Sequence, residues 1–151
     1  MNAKQTGTVN ELVSGMHLAR NTAITLNTRV AVCATSNGVT CEVIGWNKGW
    51  IVFRDMDNDQ FRDANETILG MAPGVTGLSI SSSQFPLAFT YRPNGRVMNA
   101  SLATNTGEFA LCDSRGSEHA KVVILDMSGR PRLSDVNADG SAPSCDEAEA
   151  L

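Results

Sequence analysis

From Val9 to about Thr28 the apolar residues Val9, Leu12, Val13, Met16, Ala19, Ala23 and Leu26 recur at steps of three and four, the period that gathers them on one face of a helix. Thr8, with Glu11 three residues on, has the spacing of a reciprocal N-terminal cap. The pattern therefore predicts an amphipathic helix that starts there, with residues 1–8 as a disordered, polar start outside the fold. After Arg29 the period shortens. Val30–Ala34, Trp50–Phe53, Gly77–Ile80, Leu87–Tyr91, Glu108–Cys112 and Lys121–Leu125 read as short strands separated by Gly, Pro, Asn and Ser clusters. Pro93-Asn94-Gly95 predicts a hairpin turn, and Met127-Ser128-Gly129 a turn that closes the last clear strand. One helix followed by six or seven strands predicts an α+β fold: a meandering antiparallel sheet, in one or two layers, with the helix packed on one face.

A chain of 151 residues with 42% hydrophobic content suits one such domain, assigned to residues 9–145 with 146–151 as a flexible acidic end. Strictly apolar runs such as Val122–Leu125 are far short of the ~20 residues of a membrane helix. Charge changes the picture only when it is divided. The whole chain has 12 Lys and Arg against 16 Asp and Glu, a net −4, which argues against a nucleic-acid binder. Residues 133–151, however, carry Asp135, Asp139, Asp146, Glu147 and Glu149 and no base, so residues 1–132 hold +1 and the acidity belongs to an irregular tail.

Cys33, Cys41, Cys112 and Cys145 contain no C-x-x-C pair and lack the close-paired spacing of a structural zinc site. An even count and no redox motif favour disulfides in an oxidising compartment over four reduced thiols. Three connectivities are open. The one with two local loops joins Cys33 to Cys41, around the Asn37-Gly38 turn, and Cys112 to Cys145, tying the tail to the body.

Catalysis finds no support. The chain has no G-x-S-x-G, H-E-x-x-H or G-x-x-x-x-G-K-[ST], and its two histidines, His17 and His119, have no partnering pattern. No cofactor is expected. Two stretches imitate a calcium loop, in which oxygen ligands wrap one cation. Asp55, Asp57, Asp59 and Glu66 keep the ligand spacing but put Gln60 where Gly is needed. Asp135, Asn137, Asp139 and Asp146 keep it with Gly140 in place but enclose Pro143 and Cys145. Both read better as solvated acidic turns, with calcium a minor alternative.

Gly129-Arg130-Pro131-Arg132 is the stretch with binding chemistry. Proline restricts Arg130 to extended backbone, so the two arginines project to one side about 6–7 Å apart at the strand rise. That approaches the spacing of successive phosphates on a nucleic-acid strand. Gly129 permits close backbone approach, and Arg92, Arg96, Arg115 and Lys121 on neighbouring turns and strands extend the patch to five or six positive charges.

Several segments together resemble the FimT/FimU/GspH group of minor pilins and pseudopilins. They are Asn10-Glu11-Leu12 through Leu18-Ala19-Arg20, Val30-Ala31-Val32-Cys33 with Gly38 and Cys41, Trp46-x-x-Gly49-Trp50-x-Val52-Phe53-x-Asp55, Phe89 with Gly95-Arg96, Leu111-Cys112-Asp113-x-Arg115-Gly116, and Ser128-Gly129-Arg130-Pro131-Arg132. Within the group the G-R-x-R run is most similar to FimT-type pilins, which bind DNA during natural transformation. The resemblance implies a type IV pilin-like domain, the C-terminal half of a long helix packed on antiparallel β-structure. It also implies double-stranded DNA and other minor and major pilins as partners, and a place in the inner membrane and periplasm, exposed once in the pilus. The group's hydrophobic N-terminal anchor, with its processing and methylation, does not match here, so the chain is expected to begin partway along the helix with Met1 as an added start. The expected function is binding of double-stranded DNA phosphates, with Arg130 and Arg132 as principal contacts. The alternative is a structural subunit that primes a type IV pilus or a type II secretion pseudopilus.

Overall fold

In the computed structural model, which describes all residues except 1, 2, 57–61, 99–105, 138, 144 and 146–151, the helix α1 spans Ala3–Leu26. It begins earlier than the capping signal at Thr8 indicates: Thr8 lies buried inside it. The reason is Gln5, one turn before Val9 on the same face. Its buried side-chain amide donates to the carbonyls of Leu111 at 3.0 Å and His119 at 2.9 Å, so the first turn is held by tertiary bonds and needs no local cap. At the other end Asn27 takes a left-handed φ of 49°, and the Thr28 N–H closes back on the Ala23 carbonyl at 3.1 Å, the bond of a Schellman-type stop.

Among the described residues nine antiparallel strands follow: β1 (Val30–Ala34), β2 (Gly49–Arg54), β3 (Ile68–Pro73), β4 (Leu78–Ser81), β5 (Ala88–Tyr91), β6 (Val97–Met98), β7 (Gly107–Asp113), β8 (Lys121–Leu125) and β9 (Pro131–Ser134). They form two sheets, ordered β3-β2-β1-β5-β6 and β4-β7-β8-β9, with β1 paired to β2 and β5 (Val32 opposite Val52 and Phe89) and β7 to β8 (Phe109 opposite Val123). The three strands that the alternation did not reveal, β3, β6 and β9, are all sheet edges. An edge strand packs on fewer neighbours and tolerates Gly and Pro, so its sequence carries a weaker signal. The tail is correspondingly less irregular than its composition suggests, since Leu133 and Ser134 belong to β9.

Alternation assigns two faces to each sheet. Val30, Val32 and Ala34 of β1, Trp50 and Val52 of β2, Phe89 and Tyr91 of β5, Phe109 and Leu111 of β7, and Val123 and Leu125 of β8 join Val9, Leu12, Met16, Ala19 and Ala23 of α1 in one buried core. Trp46, Phe89 and Phe109 meet at centroid distances of 5.4–5.7 Å, so the two sheets face each other through aromatic rings; the Trp46 Nε1–H donates to the Phe85 carbonyl at 2.9 Å. The outer faces are smaller. Ala31, Cys33, Ile51 and Phe53 pack with Cys41 on the first sheet, and Ala110, Cys112 and Ala120 pack with Cys145 on the second.

The cysteines join as Cys33–Cys41 and Cys112–Cys145, with Cα separations of 5.6 and 5.8 Å. Each bond thus covers the outer face of one sheet, and the second straps the chain after β9 back across β7. Closing a loop of 33 residues restricts the unfolded chain by about 3–4 kcal/mol. Replacing Cys112 and Cys145 together by Ser is therefore expected to lower stability by about 3 kcal/mol in urea titrations, while the near-ultraviolet signal of buried Trp46 is retained.

Candidate nucleic-acid interface

The G-R-x-R segment sits where two turns meet. The turn Asp126–Gly129 closes the β8–β9 hairpin through the Gly129 N–H to Asp126 carbonyl bond of 2.9 Å. Across from it, Arg92–Arg96 closes the β5–β6 hairpin, the Arg92 N–H donating to the Arg96 carbonyl at 2.8 Å and Gly95 taking a φ of 84°. Both predicted turns are present. Three contacts lock them together. The buried Tyr91 hydroxyl donates to the Gly129 carbonyl at 2.7 Å. The Arg20 Nε–H of α1 is shared between the Gly95 carbonyl at 3.2 Å and the Ser128 carbonyl at 3.1 Å. Gly129, at φ 78°, lies so close to the other turn that a Cβ there would stand 1.9 Å from the Gly95 carbonyl oxygen.

The role expected of Gly129 changes accordingly. It is buried, and the backbone it approaches is the neighbouring turn, so it shapes the surface without presenting itself to a ligand. Arg130 and Arg132, by contrast, are exposed. Arg130 is the last residue before β9, and Arg132 is on the outer face of that edge strand, opposite Ile124. They keep the extended, two-residue spacing of the sequence reading. Arg92 and Arg96 are exposed too, so an arginine pair flanks each side of the seam.

Arg115 and Lys121 do not belong to this cluster. β8 runs from Lys121, opposite Leu111, to Leu125, opposite Gly107 and Pro131, so Lys121 is about 10 Å along the strand from the position opposite Arg132 and farther from Arg130. Both cations are occupied there. Arg115 holds Asp113 at 2.7 Å and reaches the Gln5 side chain, and Lys121 pairs with Asp135 across β8 and β9. The patch is thus four guanidinium groups rather than five or six. Among the described residues, none of the four has an ion pair or a side-chain hydrogen bond.

One acid lies inside the patch. Asp126 accepts the Ser128 hydroxyl and N–H and the Arg130 N–H, and these bonds, the hydroxyl's foremost, hold its carboxyl below the ordinary value of 3.8. Its charge secures the turn that carries Arg130, and Arg132 is near enough to favour it. A second acid borders the patch: Glu108 stands in the row Glu108–Ile124–Arg132 across the second sheet. Burial, and then Asp139 of the returning tail, push the Glu108 carboxyl up. Burial likewise raises the Tyr91 phenol, which remains a neutral donor.

Several of the residues named for the calcium alternative are engaged within the protein. The buried Glu66 carboxylate accepts the N–H groups of Met56 at 2.6 Å and Asp63 at 2.8 Å, closing its loop from within, and Asp55 is buried beside the sheet; Asp57 and Asp59 lie outside the described residues. In the second stretch Asp135 is paired with Lys121, Asp139 caps Ser141, and Asp146 lies outside the described residues. Among the described residues no group of three or more His, Cys, Asp or Glu converges as a metal site.

Arg20 and Tyr91, which hold the two turns together, are the residues that motif reading missed. Arg20 follows the buried Ala19 at the flank of the helical stripe and is itself only partly exposed; Tyr91 is the one tyrosine of the chain. An arginine beside an apolar stripe was the available signal, but only the folded chain shows what it binds.

Comparison with known proteins places the fold. A sequence profile of the family described as type II transport protein GspH matches residues 8–129, ending just before Arg130. No curated protein sequence matches. The type IV minor pilin FimU of Pseudomonas aeruginosa (strain PAO1) has a similar structure, with a TM-score of 0.65 and 19% identity over 93% of each chain. The minor pseudopilin EpsH of the Vibrio cholerae type 2 secretion system superimposes with a TM-score of 0.58 and 11% identity, over 87% of this chain and 96% of that one. Both share the helix packed on antiparallel sheets.

Two outcomes follow from the seam. Gly129→Ala forces both a left-handed alanine and a collision with Gly95, and is expected to cost about 2–3 kcal/mol by thermal or urea denaturation. Because the folded Asp126 carboxyl titrates below its unfolded value, its contribution is complete above about pH 4 and is lost as pH falls through the lowered value. The Ser128 and Arg130 amide resonances should accordingly titrate together below pH 3.8, and Asp126→Asn should abolish that transition.

Proposed function

Since the chain belongs to the GspH family of minor pilins and pseudopilins, we propose that it is a FimT-type minor pilin whose arginine-flanked seam binds the phosphates of double-stranded DNA for uptake in natural transformation. The family match ends before the two principal arginines, so the DNA reading rests on the site's own chemistry. Its main support is the contrast between the cations at the two ends of the molecule. Arg115 and Lys121 are neutralised by Asp113 and Asp135, whereas Arg92, Arg96, Arg130 and Arg132 face solvent without an ion pair among the described residues. A guanidinium group held in the open is available to bind a phosphate through two N–H donors.

Such binding is independent of sequence, because phosphate contacts carry no base information. It is dominated by counterion release: four phosphates neutralised give log K a slope near −3.6 against log salt, about a hundredfold loss from 50 to 200 mM. On this reading the subunit is periplasmic, is incorporated in a pilus with other minor and major pilins, and is held in the inner membrane by an N-terminal helical segment in its full-length form. Among the described residues no helix is long and apolar enough to cross a membrane.

A second reading has its own observation. A groove of about 430 Å³ runs between α1 and the first sheet, lined by Gly15, Leu18, Trp50, Val52, Gly70 and Met71, with Leu18 and Met71 exposed. It favours a purely structural subunit that meets other pilins along this side and leaves DNA alone. Titration of the isotopically labelled domain with a short duplex at low salt separates the two. The expected result is amide shifts at residues 92–96 and 128–132 with a slope near −3.6, reduced to about −1.8 when Arg130→Gln and Arg132→Gln are combined. No DNA-dependent shift in the parent favours the structural reading, and full binding by the double variant rejects Arg130 and Arg132 as the principal contacts.

A further inference from the structure

We infer that Arg20, on the helix, is a positioning residue for the DNA site: it welds the two arginine-bearing turns into one rigid surface, so that Arg92 and Arg96 bind in concert with Arg130 and Arg132. The inference rests on the DNA reading above and adds to it a residue far from the G-R-x-R run in sequence, together with a requirement that both turns act as a unit.

The geometry is specific. The two turns come from different sheets, β5–β6 from the first and β8–β9 from the second, and no strand pairing joins β6 to β9. What joins them is a single Nε–H donating to a carbonyl of each turn, Gly95 at 3.2 Å and Ser128 at 3.1 Å, beside the Tyr91 hydroxyl on Gly129. A terminal Arg20 nitrogen lies against the Gly95 turn, where a Cβ on Gly95 would stand 2.9 Å from it. Arg20 projects from a helix whose neighbouring positions Ala19 and Ala23 are fully buried, so its backbone cannot drift. The helix therefore serves as the fixed frame against which two independent hairpins are referenced.

Rigidity matters for the ligand proposed. Duplex phosphates are fixed in space, and each arginine that must be ordered on binding gives back part of its contact energy as lost freedom. Two hairpins held in register meet the phosphate array together. Two hairpins that move independently present one pair at a time.

Arg20→Met keeps the side-chain stem and removes the donor. In duplex titrations at several salt concentrations, the expected result is a slope falling from about −3.6 to about −1.8, with DNA-induced shifts confined to residues 128–132, because the β5–β6 hairpin no longer engages in register. Loss of one positive charge alone would lower the slope by only about 0.9 and leave both turns responding. A slope of about −2.7 or steeper with shifts in both turns overturns the proposal. The amide resonances of Leu111 and Ala120, at the distant end held by Gln5, report whether the variant is folded. Should Arg20→Met fail to fold, Arg20→Lys takes its place: it keeps the charge but has no donor at the Nε position shared by the Gly95 and Ser128 carbonyls, so uncoupled responses of the two turns support the weld and coupled ones overturn it. A parent domain that shows no DNA-dependent shift overturns the DNA reading itself, whereas a parent that binds and an Arg20 variant that binds alike overturn only the role of Arg20.

Discussion

Everything in this molecule depends on the apolar stripe of one helix. Two antiparallel sheets, not paired to each other, each present an inner row of aliphatic and aromatic side chains, and both rows close on Val9, Leu12, Met16, Ala19 and Ala23 of α1. The ring contacts of Trp46 with Phe89 and Phe109 bring the sheets together directly, but the helix is the element that both share. Small residues late in the stripe, Ala19 and Ala23, let strands approach closely at that end, while Leu12 and Met16 fill the wider middle.

The helix also carries one polar tie at each end. Gln5 holds the carbonyls of Leu111 and His119, and Arg20 holds those of Gly95 and Ser128. Arg20 satisfies a carbonyl in each of two turns, and Gln5 reaches one strand and one loop carbonyl, the pairing that buried or half-buried backbone requires. A helix that meets the core by hydrophobic packing alone could slide or rotate with modest loss. Directional bonds at both ends fix its register against the two sheets.

Charge is distributed along the same axis. At the Gln5 end, cations and acids neutralise each other in pairs; at the Arg20 end, four arginines surround a seam that contains the half-exposed carboxylate of Asp126. The net −4 of the chain therefore says little about either end. The tail that supplies much of the negative charge is strapped by Cys112–Cys145 across the outer face of the second sheet, and Asp139 comes to lie near Glu108, in the strand row that ends at Arg132. Among the described residues this acid thus borders the arginine pairs on one flank.

Sequence by itself determined the helix, the six strands with a clear apolar signal, both hairpin turns and the exposed arginine pair, because each depends on local periodicity or on turn chemistry within a few residues. Edge strands β3, β6 and β9 escaped it for want of two-sided packing, and the first helical turn escaped it because Gln5 is held by residues more than a hundred positions away. Only the tertiary structure decided which cations share a surface. Arg115 and Lys121 are close to Arg130 in sequence yet lie at the other end of the sheet, in ion pairs. Arg92 and Arg96, more distant in sequence, stand across a backbone contact from it. Strand direction and register settle such neighbourhoods, and both follow from how two sheets close on one helix, a property of the whole chain that no short segment contains.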